Sequence, residues 1–119
     1  MANACNFIVS LPEGMEDENS YGYLVGFHHD YNNQIITLTF NETPTISIRE
    51  KFYDEDNQSS IKGDVILGYV DAYGNIIKQE LFSEVAFIGM RFNDLEYNVM
   101  GDIQTKIDLM YRERKTLLN

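Results

Sequence analysis

The chain has 119 residues, enough for one domain with a single modest core, and its 44% hydrophobic, 13% aromatic composition is that of a folded globule. A net charge of −10 argues against a general nucleic-acid binder, which needs Lys and Arg to neutralise phosphates. One cysteine, Cys5, excludes an internal disulfide framework and a cysteine-based zinc site.

Cysteine usage fits a reducing compartment, so the expected location is the cytoplasm, or a virion if the chain is phage-encoded. The opening residues "MANACNFIVS" place no positive charge before their short apolar run and do not read as a secretory signal. No apolar run approaches the ~20 residues that span a bilayer, so no membrane span is expected.

In chain order, "CNFIVSL" alternates, with Cys5, Phe7, Val9 and Leu11 on one side, and reads as a strand. "PEGMEDENS" is a charged surface loop. "YGYLVGFHH" alternates again and puts Tyr21, Tyr23, Val25 and Phe27 together; "DYNN" is turn chemistry. "QIITLTF" places Ile36, Leu38 and Phe40 on one face. "ISIREKFY" reads as a strand with Ile46, Ile48 and Phe52 on one face and Ser47, Arg49 and Lys51 on the other. "DEDNQSSIKG" is the longest polar stretch and reads as a mobile loop. "DVILGYVDAYGNIIKQELF" reads as two strands joined at Ala72-Tyr73-Gly74-Asn75, where Gly74 or Asn75 supplies a positive φ. "EVAFIGMRF" is the next strand, and Gly89 inside it signals a bulge or a close backbone approach.

From residue 94 the spacing changes. Leu95, Val99, Ile103 and Ile107 recur every four residues, with Met110 or Tyr111 continuing the stripe, which predicts a helix over 94–115. Asn93 and Glu96 suit a capping box, Gly101 lies inside, and Arg112, Arg114 and Lys115 suit the negative end of the helix dipole. The expected architecture is therefore mainly β: a small antiparallel barrel or sandwich of six to seven strands over about 5–92, sealed by one C-terminal helix, in a single domain covering 1–119.

Chemistry-bearing motifs are few. His28 and His29 are adjacent on a strand, so they point to opposite faces and do not share one ion. "DEDNQSS" begins like a calcium loop but has Ser59 where glycine is needed and Val65 where a bidentate glutamate is needed. No serine sits in a nucleophile elbow, and the eight glycines form no phosphate loop. No catalytic residue, metal site or cofactor is expected, and the chain does not read as an enzyme.

"KGDVILGYVDAYGN", then "FIGMRFNDL", then a helix ending "YRERK", resembles the last half of PilZ-type domains, which are small antiparallel β-barrels. Gly63-Asp64, Gly89-Met90-Arg91-Phe92 and the helix from Asp94 fit the family's order across residues 62–115. The family's cyclic di-GMP site uses an Arg-x-x-x-Arg segment before the barrel, and no arginine precedes Arg49. Its second element is echoed only by Asp30-Tyr31-Asn32, which makes Asp30 and Asn32 the candidate ligand residues the resemblance implies. A member without the arginines would be a signalling module that binds a protein in place of the nucleotide.

The charge asymmetry points to protein partners. Four of the nine basic residues lie in the last fourteen positions, while acids cluster at Glu13–Glu18 and Asp54–Asp56. Tyr31, Tyr53 and Tyr73, near loops, and Arg112, Arg114 and Lys115, at the basic tail, are the candidate partner contacts. The expected function is an acidic, non-catalytic interaction or assembly module, such as a subunit of a virion, secretion or motility machine. An immunity or anti-defence inhibitor covering a basic target site is the alternative.

Overall fold

Alternation of apolar and polar residues builds eight strands in the computed structural model, which describes residues 5–15, 24–41, 48–92 and 104–118. They are β1 (Cys5–Ser10), β2 (Leu24–Asp30), β3 (Ile35–Asn41), β4 (Val65–Asp71), β5 (Ile76–Ser83), β6 (Ala86–Phe92), β7 (Gln104–Met110) and β8 (Glu113–Leu118). Two helical segments, α1 (Ile48–Lys51) and α2 (Glu55–Ser59), lie between β3 and β4. One sheet has the order β1-β4-β5-β8 and the other β2-β3-β7-β6. Every neighbouring pair is antiparallel. The mainly β, antiparallel class is as expected; of the two forms, barrel or sandwich, the described strands make two sheets and no closed barrel, and they number eight where six to seven were expected.

One cluster of buried side chains joins the two inward faces. Val9, Val65, Leu67 and Phe82 come from the first sheet; Ile36, Leu38, Phe40, Ile107 and Leu109 come from the second. Full burial of each large side chain is worth about 1.5–3 kcal/mol relative to leaving it in water. Connecting segments complete the cluster with Leu11, Met15, Phe52, Ile61, Val85 and Tyr111.

The C-terminal helix is the main correction. Residues 104–110 form β7, at the centre of the second sheet, and 113–118 form β8, at the edge of the first. Thr105, Ile107, Leu109 and Tyr111 are the buried residues there, a period of two. A spacing of four is a multiple of two, so the stripe through Ile107 fits a strand as well as a helix, and β-branched Thr105 and Ile107 favour the strand. Asn93, Leu95, Glu96, Val99, Gly101 and Ile103 lie outside the described residues, as do Tyr21, Tyr23 and Ile46.

Three smaller differences have local causes. The register of β2 against β3 shifts between Leu24 and Gly26, so Val25 is turned outward while Leu24 and Phe27 pack on the core. The segment read as a strand at "ISIREKFY" contains the helical turn α1, and Phe52 after it is fully buried, its ring stacked 6.4 Å from that of Phe87. The segment read as a mobile loop holds α2, because the Asp54 side chain accepts from Asp56 N at 2.9 Å and caps it. Asn57 and Gln58 then donate side-chain hydrogen bonds to the Lys51 and Phe52 carbonyls and tie the two turns together.

Two glycines behave as their positions require. Gly74 turns the β4–β5 hairpin with φ +86°, and Asp71 steadies the turn by accepting from Tyr73 N and Asn75 N, each at 2.9 Å. The register of β6 against β7 shifts between Phe87 and Gly89, the bulge its sequence signalled.

Candidate interaction surfaces

The two sheets present different outer faces. On the first, Ile8 of β1 folds over Gly68 of β4: a Cβ at Gly68 would lie 3.2 Å from Ile8 Cγ1 and 3.8 Å from Ile76 Cγ2. Ile8 and Ile76 are themselves exposed, and half-buried Ile66 and Leu81 share that face by strand alternation. Exposed Leu117 and Leu118 end the neighbouring β8. This outer face therefore carries an apolar patch around Gly68, with Gln79 and Lys115 beside it by register.

The second sheet's outer side is mixed: Val25, Ile88 and Met110 are exposed, and a polar network lies among them. Arg91 of β6 grips Asp108 of β7 through Nε and Nη2 at 3.0 and 2.9 Å, and Thr37 of β3 donates to the same carboxylate at 2.6 Å. Burial acts to raise the Asp108 pKa, but the Arg91 and Thr37 hydrogen bonds outweigh it and hold the carboxyl below its usual range.

A third cluster bridges the sheets where the chain passes from β7 to β8. His29 Nε2 and Tyr111 Oη share a hydrogen bond of 2.6 Å. The His29 ring lies 3.9 Å from that of Tyr31 and meets Phe82 edge-on at 4.9 Å. Arg114 on β8 stands over Tyr31 at 5.4 Å and donates to Glu80 Oε1 at 2.6 Å. Glu80 is only 2% exposed, and Lys78 Nζ lies 3.3 Å from the same oxygen. Burial acts to raise Glu80, yet the Arg114 and Lys78 contacts prevail and keep it ionised below the usual range. Burial, and then the Arg114 charge, push the His29 imidazole below its usual value. Burial raises the Tyr111 hydroxyl.

The basic residues of the predicted tail thus belong to an edge strand and its entry. Arg112 pairs with Glu84 at 3.1 Å in the open, Arg114 is drawn onto buried Glu80, and Lys115 is exposed. The three loop tyrosines are exposed but dispersed: Tyr31 belongs to the bridging cluster, Tyr53 follows α1, and Tyr73 sits 90% exposed at the hairpin tip. Asp30 spends its carboxylate on its own turn, accepting from Asn32 N at 3.1 Å, Asn33 N at 3.4 Å and Asn33 Nδ2 at 2.8 Å. The Asn33 hydrogen bond is the main reason its pKa falls.

Phe82 and Glu80 carried no signal in the sequence; His29 was weighed only as a metal ligand, and Tyr111 only as the end of a helical stripe. The one available signal was the alternation Thr105-Ile107-Leu109-Tyr111, which would have put Tyr111 inside. Among the described residues, no three His, Cys, Asp or Glu side chains converge to hold a metal ion. Among the same residues, no helix is long and apolar enough to cross a membrane.

No protein-family model matches the chain, and no curated protein sequence matches it. Solved structures do resemble it. A chain in the cryo-EM structure of the anti-feeding prophage tube-terminating cap is 12% identical, with a TM-score of 0.64 over 95% of this chain and 88% of that one. A chain in the sheath/tube terminator of the extracellular contractile injection system PVC, in its extended state, is 14% identical, with a TM-score of 0.62 over 92% of this chain and 91% of that one. Hcp1 from Salmonella typhimurium is 8% identical, with a TM-score of 0.59 over 96% of this chain and 86% of that one. At these identities the likeness is one of fold: the two-sheet arrangement is similar, over more than nine-tenths of its length, to chains of contractile injection particles and to an Hcp protein.

Proposed function

We propose that the chain is a non-catalytic structural subunit of a contractile-injection-type assembly, packing against other protein subunits at the tube or at its terminating end. The observation that carries this reading is the fold likeness to the cap and terminator chains, which spans nearly the whole of both partners in each comparison. Surface chemistry supports it. Among the described residues both sheets are open, so β1, β8, β2 and β6 offer edges that can pair with a neighbour. The first sheet's outer face leaves Ile8 and Ile76 exposed, apolar area suited to burial against another subunit. The net charge of −10 keeps unassembled copies soluble until they dock.

Electron microscopy and mass photometry of the purified protein, from nanomolar to tens of micromolar, test the reading. Rings, stacks or tubes of regular diameter are the expected result. A protein that stays monomeric throughout, alone and when co-expressed with the products of neighbouring genes, refutes it.

A second reading, an acidic inhibitor of a basic target, is favoured by the exposed Asp54, Glu55 and Asp56 at the start of α2. It requires a complex whose affinity falls steeply with salt.

A further inference from the structure

Strand β8 is an exposed edge strand, held on its sheet by the β5 ladder and by Arg114. All six of its residues are exposed, and among the described residues its only strand partner is β5. Among the described residues, the buried core includes no β8 side chain. Lifting the strand therefore uncovers little apolar area of its own, and what resists it is the β5 ladder and the Arg114–Glu80 contact, both of which a second copy can remake. Its entry is equally simple. Tyr111 stays with the second sheet, through its N–H on Gln34 O at 3.0 Å and its hydroxyl on His29, while Arg112 already donates to Ser83 O of the first sheet at 2.9 Å. A pivot between these two residues frees β8, breaks the Arg112 contacts with Ser83 and Glu84, and leaves β1-β4-β5 and the second sheet in place.

The site beneath is specific. β5 presents the buried Glu80 carboxylate to β8, and Arg114 of β8 supplies its closer cation, at 2.6 Å against 3.3 Å for Lys78. A replacement strand without a cation at that register leaves a poorly compensated buried charge. It must also match the register Leu81–Lys115 and Phe82–Arg114, with an irregularity between Gln79 and Glu80. A second copy of β8 meets each of these demands by identity.

We propose that β8 is exchanged between copies of this chain: Glu113–Leu118 of one copy pairs with β5 of the next and sets its Arg114 on that copy's Glu80. The proposal rests on the assembly reading above and names its partner, a second copy. Exchanged and unexchanged forms make the same strand contacts, so they differ only in connector geometry and in the concentration at which the strand is presented. Tethering neighbours side by side raises that effective concentration to the millimolar range. Each copy gives one strand and receives one, so the exchange can run from subunit to subunit.

Cysteines at Leu81→Cys and Lys115→Cys, in a Cys5→Ser background, test it, because these positions face one another across β5 and β8. The assembled protein is oxidised and run on a denaturing, non-reducing gel; a short bis-maleimide reads the same pair if the disulfide does not close. Exchange predicts a ladder of covalently joined chains. An assembled sample that yields only intrachain bridges overturns the exchange and leaves the assembly reading standing; a protein that never assembles and bridges only within the chain overturns both. A charge-swap mixture gives an independent readout. Glu80→Arg and Arg114→Glu chains each lack a matching pair alone, and mixing them creates matched pairs only between chains. Exchange predicts that refolding the two together restores assembly and raises the melting temperature above that of either alone. A mixture that melts and sediments as the sum of its parts counts against it.

Discussion

At position 80 a carboxylate lies almost wholly out of water, held by Arg114 from the edge strand and by Lys78 from its own strand. Removing one partner of such a group costs far more than an exposed ion pair is worth, because the remaining charge stays buried. We expect Arg114→Ala to lower stability by about 2–3 kcal/mol, the scale of a hydrogen bond to a buried charge, with Lys78 limiting the loss. Arg112→Ala, which breaks the open pair with Glu84, should cost under about 1 kcal/mol. Urea denaturation of the two variants side by side checks the contrast; equal losses would show that burial of Glu80 does not matter. Position 29 adds a pH dependence. With its folded pKa lowered, His29 binds a proton less readily in the native state than in the unfolded chain. Its contribution is intact above the unfolded value of about 6.5 and is lost as pH falls from there through the folded value. Glu80 and Asp108 are also lowered, but as carboxylates they contribute above about pH 4 and lose it as pH falls through their folded values. Melting temperatures measured from pH 7.5 to 3 should therefore decline in two stages, and His29→Gln should remove the first. A variant that keeps both stages would place the upper one elsewhere.

At the scale of one element, β7 gives the sharpest test. A strand over 104–110 sends Leu109 into the core and Met110 to the surface, as the structure shows. Leu109→Asp should unfold the protein, since a buried unpaired charge costs several kcal/mol of a total stability of about 5–15. Met110→Asp should fold, with a stability within about 1 kcal/mol of the parent. Circular dichroism and a thermal melt of the pair decide it; equal damage from both would contradict the alternation. The same element shows how local signals misled. Ile107 lies on a spacing of four that both periods satisfy, and the basic residues after Met110 match a helix C-terminus by charge alone. What decides is the neighbourhood: β7 lies between β3 and β6, where its backbone groups meet ladder partners on both sides. No single-chain pattern reports that environment. α1 and α2 illustrate a second limit, because the side-chain bonds from Asn57 and Gln58 to Lys51 and Phe52 follow from where Phe52 is buried.

For the molecule as a whole, the contrast between its outer faces carries the expectation. The first sheet is apolar outside around Ile8, Gly68 and Ile76, and the second is knit by Thr37, Asp108 and Arg91. Ile76→Lys should leave the monomer's melting temperature nearly unchanged and reduce the assembled fraction measured by sedimentation at micromolar concentration. Unaltered assembly would move the subunit contact away from the first sheet's outer face. Composition and alternation alone determined much about this protein. They established the mainly β antiparallel class, Phe7 and Val9 of β1 and Ile36, Leu38 and Phe40 of β3 as inward residues, a hairpin turn at Gly74 or Asn75, and a bulge or close approach at Gly89, because each depends on side chains a few positions apart. Only the tertiary structure decided that the C-terminal segment supplies two strands to two different sheets, and that His29, Glu80, Tyr111 and Arg114 meet. Those residues lie as many as 85 positions apart, and the pairing that joins them is set by burial and strand register across the fold, which local periodicity does not encode.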